Sequence, residues 1–318
     1  MRVRNSVIEL IGNTPMVMLN KMTQGLESRV FAKLEFFNPS GSLKDRIALE
    51  MIEQAEKDGK LKPGYTIVES STGNTGIALS FVGNVKGYHV LIFETMPKKI
   101  GTERREIMER YGAEVRLLDN SAFASAREKS ISGAEIELPG RALCREIEKS
   151  KPKVWWARQF SNPANIRAHN KTAAEILEQM NSKVNVFVAA IGTGGTLMGV
   201  AEVLKREIPK AEIIGVQPES DRNLIVIGKP YPKTDISGGI ISEMLERNLV
   251  DKIIRVNDRD AIATAHRLWK EEGLFAGVSS GANVFVAINE AKARKGENVV
   301  TILPDSGDRY LTEEHFIT

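Results

Sequence analysis

Four short segments combine glycine with amine, hydroxyl or amide side chains. They are Asn38-Pro39-Ser40-Gly41-Ser42-Leu43-Lys44-Asp45-Arg46, Ser71-Thr72-Gly73-Asn74-Thr75-Gly76, Gly192-Thr193-Gly194-Gly195-Thr196 and Val278-Ser279-Ser280-Gly281. In the third, glycines let consecutive backbone N–H groups converge on one anion, and Thr193 and Thr196 add hydroxyl donors. That pattern makes a phosphate cup; a tight turn that binds nothing has the same residues. A dinucleotide fingerprint is disfavoured, because Leu197 stands where the third glycine of GxGxxG belongs. No GxxxxGK[ST] motif for a nucleotide triphosphate occurs either.

The Ser71–Gly76 turn suits a carboxylate, with backbone N–H groups and the hydroxyls of Ser71, Thr72 and Thr75 as donors. The same residue types are also ordinary helix caps. Lys44 falls at a predicted helix start, where a cation opposes the helix dipole. A lysine there can lose its proton readily and act as an amine nucleophile toward an aldehyde. A solvated loop lysine fits the same position. Taken together, a reactive amine, a phosphate cup and a carboxylate-binding turn match pyridoxal 5'-phosphate (PLP) holding an amino acid.

Alternating helix and strand signals must position these segments. Helical periodicity runs over 45–58, 75–86, 103–111, 164–180, 197–207 and 282–292. Short apolar runs at 65–69, 88–93, 113–118, 184–190, 213–217 and 298–303 read as strands of parallel βαβ units. Each chemical segment then precedes a helix, beyond the carboxyl ends of the strands, where α/β sheets collect ligands. The stretch 121–153 is polar and weakly periodic, and it separates two runs of this pattern. The expectation is an α/β chain of two domains, 1–156 and 157–318.

The whole-chain properties narrow the function. The chain has 318 residues, too many for one ordinary core. Its 42% hydrophobic and 27% charged content is that of a globular protein. A net charge of +3 without charged blocks does not argue for nucleic acid. Cys144 is the single cysteine, and the four histidines make no ligand pair, so neither a disulfide nor a metal site is expected. No signal peptide or membrane span is read, and a reducing cytoplasm is the expected location.

On these motifs, and on Ile11-Gly12-Asn13-Thr14-Pro15, Gln159-Phe160-Ser161-Asn162-Pro163-Ala164-Asn165 and Gly307-Asp308-Arg309-Tyr310-Leu311, the chain resembles the cysteine synthase family. That family comprises O-acetylserine sulfhydrylases and their cystathionine β-synthase relatives, PLP enzymes of fold type II. The likeness runs nearly end to end, with the motifs in the same order. It implies two twisted-sheet α/β domains, tryptophan synthase β-like, with PLP in the cleft between them. It also implies that a segment of about 14–36 crosses to the second domain. Lys44 would bind the cofactor covalently and later move protons at the substrate Cα. Asn74 would meet the PLP ring hydroxyl, Gly192, Thr193, Gly194, Gly195 and Thr196 the phosphate, and Ser279 the pyridine nitrogen. Ser71, Thr72, Gly73, Thr75 and Gln159 would hold the substrate carboxylate.

A serine at the ring nitrogen has a consequence. Its hydroxyl does not keep that nitrogen protonated as an aspartate would, so the ring is a weaker electron sink. We infer that loss of a β-leaving group followed by thiol addition is favoured over transamination. A Ser279→Asp variant that gains no transamination products would count against this.

The implied reaction is O-acetyl-L-serine plus sulfide to L-cysteine plus acetate, a transferase step of cysteine biosynthesis, in a homodimer. A complex with serine acetyltransferase is a further implied partner. Alternatives are O-phospho-L-serine as donor, homocysteine as acceptor, or a catalytically silent partner-binding homologue; Lys44 argues against the last. Arg222 is a candidate for a donor phosphate, since its fork suits phosphate, although a surface arginine reads the same. Two stretches depart from the family pattern. The mouth loop around Ile236–Leu245 reads shortened, and Ser121–Arg141 reads longer, with no role assigned.

Overall fold

The computed structural model describes residues 3–95, 101–118, 137–221, 224–231, 238–313 and 316. Two sheets form. The smaller has four strands in the order β5-β4-β3-β6, all parallel: β3 (Thr66–Ser70), β4 (His89–Glu94), β5 (Glu114–Leu117) and β6 (Val154–Trp156). The larger runs β1-β2-β10-β7-β8-β9: β1 (Met16–Met18), β2 (Arg29–Leu34), β7 (Val186–Ala190), β8 (Glu212–Pro218), β9 (Lys252–Val256) and β10 (Asn298–Leu303). Only β1 runs antiparallel, against β2. The early strands β1 and β2 therefore lie in the larger sheet, where β2 pairs with β10.

The described helices are α1 (Lys44–Lys57), α2 (Asn74–Val85), α3 (Thr102–Arg110), α4 (Leu138–Ser150), α5 (Pro163–Gln179), α6 (Gly195–Glu207), α7 (Gly239–Glu246), α8 (Asp258–Arg267) and α9 (Val278–Lys292). They cover both faces of both sheets, which is why parallel strands read as continuous apolar runs. Strand alternation sorts the residues. Phe187 and Ala189 of β7 pack with Leu197, Val200 and Leu204 of α6. Val186 and Val188 of the same strand pack with Val284, Ala287 and Ala291 of α9 on the opposite face. In the smaller sheet, Ile67 and Ile92 meet α1 and α2. Val68, Leu91, Phe93 and Trp156 meet Leu143, Cys144 and Ile147 of α4.

Helix α4 is the main correction to the sequence reading, which left 121–153 unplaced. Pro139 falls in the first helical turn, where proline is tolerated because its missing N–H has no partner to lose. Gly140 has a packing reason. A methyl group there would sit 2.2 Å from Ser70 Oγ, so only glycine lets α4 approach the end of β3. Helix α9 also begins earlier than expected, at Val278, so Ser279–Gly281 form its first turn rather than a preceding loop. Gly281 allows this close start, because a methyl there would meet the Ala261 carbonyl of α8 at 2.0 Å. Of the mouth loop, Ile236 and Ser237 lie outside the described residues, and Gly239–Leu245 belong to α7.

Candidate active site

A cleft of 440 Å³ opens at the carboxyl ends of β3 and β7 and is lined by Lys44, Ser71–Thr75, Gln159, Gly192 and Thr193. Three of the four chemical segments thus meet in one place, with residues contributed from both sheets. A second cleft, of 510 Å³ beside Trp155 and Arg158, contains none of the four.

Lys44 is the first residue of α1. Its loop is pinned on several sides. The Asp45 carboxylate accepts from Ser40 N at 2.7 Å and from the Ser40 hydroxyl, and Leu43 N donates to Pro304 O at 2.9 Å. Gly41, at φ +84°, gives way to the Arg309 guanidinium, which donates to Ser40 O. The Lys44 amine itself makes no hydrogen bond or ion pair with any described residue. Burial holds it down to about 8, although the Asp305 and Glu137 carboxylates pull the other way. A pKa lowered this far leaves a larger unprotonated, nucleophilic fraction at neutral pH than an ordinary lysine has.

The Ser71–Gly76 turn serves both readings at once. Ser71 Oγ accepts from Gly73 N at 3.3 Å and Gly76 N at 3.0 Å, an internal cap for α2. Thr72 N and Oγ1 instead donate to a carboxylate, that of Glu137, at 3.2 and 3.4 Å. Gln159 Nε2 donates to the same carboxylate at 3.1 Å and to Ser70 O at 3.3 Å. Thr75 Oγ1 donates to Gln159 Oε1 at 2.6 Å, fixing the amide's orientation. Burial pushes the Glu137 carboxyl up to about 7, with Arg141 opposing the rise. Asn74 faces another network. Its Nδ2 donates to Asp305 at 2.6 Å and its Oδ1 accepts from Arg309 at 2.5 Å. Tyr310 OH also donates to Asp305, at 2.5 Å. Burial raises the Asp305 carboxyl, and the Tyr310 and Asn74 hydrogen bonds oppose that.

The glycine turn leads from β7 into α6. Gly192 has open space where a side chain would stand, and Gly194 adopts φ +88°. A methyl at Gly195 would lie 2.0 Å from Asn165 Oδ1, so the turn closes tightly on α5. Asn165 Nδ2 donates to Thr193 Oγ1 at 3.1 Å and to Gln159 O at 2.7 Å, coupling this turn to the carboxylate-binding side. Thr196 Oγ1 lies 3.1 Å from His169 Nε2. Burial, reinforced by Lys44 and Arg46, holds His169 far below its ordinary pKa, so its imidazole is neutral. Gly192 and Thr193 line the cleft; Gly194 to Thr196 carry the chain into α6. Ser279, half-buried in the first turn of α9, is not among the lining residues. Arg222 lies outside the described residues; its neighbours Ser220 and Asp221 line the cleft.

Several of these groups escaped the reading of the sequence. Asp305 follows strand β10 at its carboxyl end, the same position that drew attention to the other segments, and that rule would have found it. Asn165 closes the Gln159–Asn165 motif but was given no role of its own, and His169, also on α5, carries no local signal. Glu137 lies at the end of a polar stretch and had none either.

An unpaired amine, a glycine turn open to the cleft and donors already holding a carboxylate fit a cofactor with an aldehyde and a phosphate, together with an amino acid. The family model for pyridoxal-phosphate dependent enzymes matches residues 7–305, and the chain is a PLP-dependent enzyme of fold type II. A cysteine synthase from Staphylococcus aureus strain N315 is 42% identical over 314 residues, covering 97% of this chain and 96% of the relative. The chain therefore belongs to the cysteine synthase family. The crystal structure of the cysteine synthase from Entamoeba histolytica superposes with a TM-score of 0.85 at 36% identity, covering 100% of this chain and 92% of that one. The O-acetylserine sulfhydrylase isoform 3 of the same organism gives 0.82 at 35% identity, with coverage of 100% and 92%.

Proposed function

We propose that this enzyme makes L-cysteine by β-replacement, with sulfide taking the place of the acetate of O-acetyl-L-serine. The observation that carries the reading is the meeting, in one cleft, of the partnerless Lys44 amine with the Thr72 and Gln159 donors, which hold a carboxylate in this structure. The relatives, cysteine synthases and an O-acetylserine sulfhydrylase, support this donor and acceptor over O-phospho-L-serine or homocysteine.

The proposed division of labour follows the geometry. Ser71, Thr72, Gly73, Thr75 and Gln159 hold the substrate carboxylate and so aim its Cα toward Lys44. When bound, PLP supplies the electron sink that makes the bonds at Cα labile. Lys44 would hold the cofactor until the substrate amine takes its place, and the freed amine would then take the Cα proton and return it to the same carbon after sulfide has bonded to Cβ. Acetate leaves in between with the bonding pair. Asn74, held by Asp305 and Arg309, would meet the ring hydroxyl, and Ser279 would serve the ring nitrogen. Gly192 to Thr196 would take the phosphate, with His169 and Asn165 orienting the two threonines. Closure over the carboxylate side would exclude water from the reacting Cβ.

Domains of 1–156 and 157–318, with about 14–36 crossing to the second, are part of the proposal; the pairing of β1 and β2 into the larger sheet supports the crossing. A cytoplasmic homodimer able to bind a serine acetyltransferase is also proposed, on the family resemblance. Among the described residues no helix is long and apolar enough to cross a membrane.

The test is an absorption titration of the purified holoenzyme with O-acetylserine and, separately, O-phosphoserine. A yellow protein whose band moves to longer wavelength with O-acetylserine and returns on adding sulfide is expected. A shift with O-phosphoserine alone would reassign the donor. No cofactor band after incubation with PLP would overturn the enzyme reading.

A further inference from the structure

The Thr72 N–H, the Thr72 and Thr75 hydroxyls and the Gln159 amide are already engaged. Thr72 offers one N–H and one hydroxyl proton, and both go to Glu137. Gln159 has two amide protons, given to Ser70 O and Glu137. The Thr75 hydroxyl proton goes to Gln159. Glu137 is buried, and its backbone is anchored in place: Ser70 Oγ donates to Glu137 O at 3.1 Å, beside the tight approach at Gly140. A second carboxylate cannot use the same protons, and two carboxylates in such contact repel strongly in a recessed site. Arg141, in the first turns of α4, already pairs with this carboxylate at 3.8 Å.

We propose that Glu137 is a specificity-determining residue that competes with the substrate α-carboxylate for Thr72 and Gln159, so that an amino acid gains these donors only by displacing it. This rests on the reading that these donors hold the substrate carboxylate. It means that Glu137 lowers the affinity of carboxylated ligands and leaves plain amines untouched.

The experiment compares wild type, Glu137→Ala and Glu137→Gln holoenzymes, using the cofactor spectrum to measure dissociation constants for L-alanine and for ethylamine. The two probes differ only in the carboxylate. Removing a competitor held by charge-assisted hydrogen bonds should tighten L-alanine about tenfold in Glu137→Ala. The smaller gain expected in Glu137→Gln, about threefold, keeps the test open if the alanine variant fails to fold. Ethylamine should change by less than about twofold, because it makes no demand on these donors. Equal L-alanine affinity in all three proteins, or gains shared by ethylamine, would overturn the proposal. Wild-type turnover of O-acetylserine with sulfide separates the two readings. Turnover with unchanged L-alanine binding in the variants sinks the inference alone. Tightened L-alanine binding without turnover sinks the cysteine synthase reading alone.

Discussion

Lys44→Ala is expected to lower kcat by about 10³-fold or more while leaving the protein folded. Two contributions vanish together. The variant has no amine to hold the cofactor covalently, and none to take and return the Cα proton. A positioned proton-transfer group alone is worth about 10²–10⁴-fold. The fold should not suffer, because the Lys44 amine has no hydrogen-bonding or ionic partner among the described residues, and burial works against its charge. The loop that carries it is fixed by Asp45, Leu43 and Gly41, none of which uses the lysine side chain. Alanine is also the best helix former for the first position of α1. The measurements are steady-state kinetics and a thermal melt. A variant retaining activity within about tenfold of wild type would remove Lys44 from the chemistry. A melting temperature lowered by more than about 3 °C would instead give it a structural role. Added ethylamine should restore part of the lost rate, since the missing group is an amine in an accessible cleft; Lys44→Arg, with charge but no usable nucleophile, should not.

Much of this site was readable because its chemistry sits on turns that must contain particular residues. Gly194 needs a positive φ, Gly192 faces open space, and Lys44 stands out at a helix start. The helices 45–58, 75–86 and 164–180 were legible from the spacing of apolar residues and lie within a residue or so of α1, α2 and α5. What stayed hidden depended on contacts distant in sequence. Lys33 alternates with apolar residues in β2 and would be taken for a solvent-facing lysine. It is fully buried, with its amine 2.6 Å from Thr14 O and 2.7 Å from Glu175. Helix α4 fell in the unplaced stretch, and the purpose of its Gly140 appears only when Ser70 is placed opposite. Glu137 could not be recognised as a site residue, because nothing local brings it to Thr72, 65 positions earlier in the chain.

The same buried network predicts the largest stability effect. Arg46, on α1, donates to Glu35 at 2.7 and 2.9 Å and to Glu175, on α5, at 2.7 and 2.8 Å. Glu35 follows β2 in the larger sheet and is fully buried. One guanidinium therefore ties together the lysine-bearing helix, α5 and the segment that follows β2. Replacing it by Met keeps much of the packing but leaves Glu35 with Thr14 and Asn38 as its remaining partners among the described residues. Removing one member of a buried ion pair costs about 3–5 kcal/mol, because the other charge stays desolvated. Arg46→Met should thus melt roughly 10 °C below wild type at pH 7. The double variant Glu35→Gln with Arg46→Met removes the orphaned charge and should recover part of the loss. A double variant no more stable than Arg46→Met alone would show that packing, not charge, sets the cost. Acid supplies a second readout. Burial tends to raise the Glu175 carboxyl, but its bonds to Arg46 and Lys33 outweigh this and bring it to about 2, below the ordinary 4.5. A carboxyl depressed in the folded state contributes stability above its unfolded pKa and loses it as pH falls through the folded one. Wild type should therefore lose stability between about pH 5 and pH 2. Arg46→Met, with Glu175 held by Lys33 and the Asn13 N–H but not by Arg46, should lose less over that window, so the two melting curves should converge on acidification.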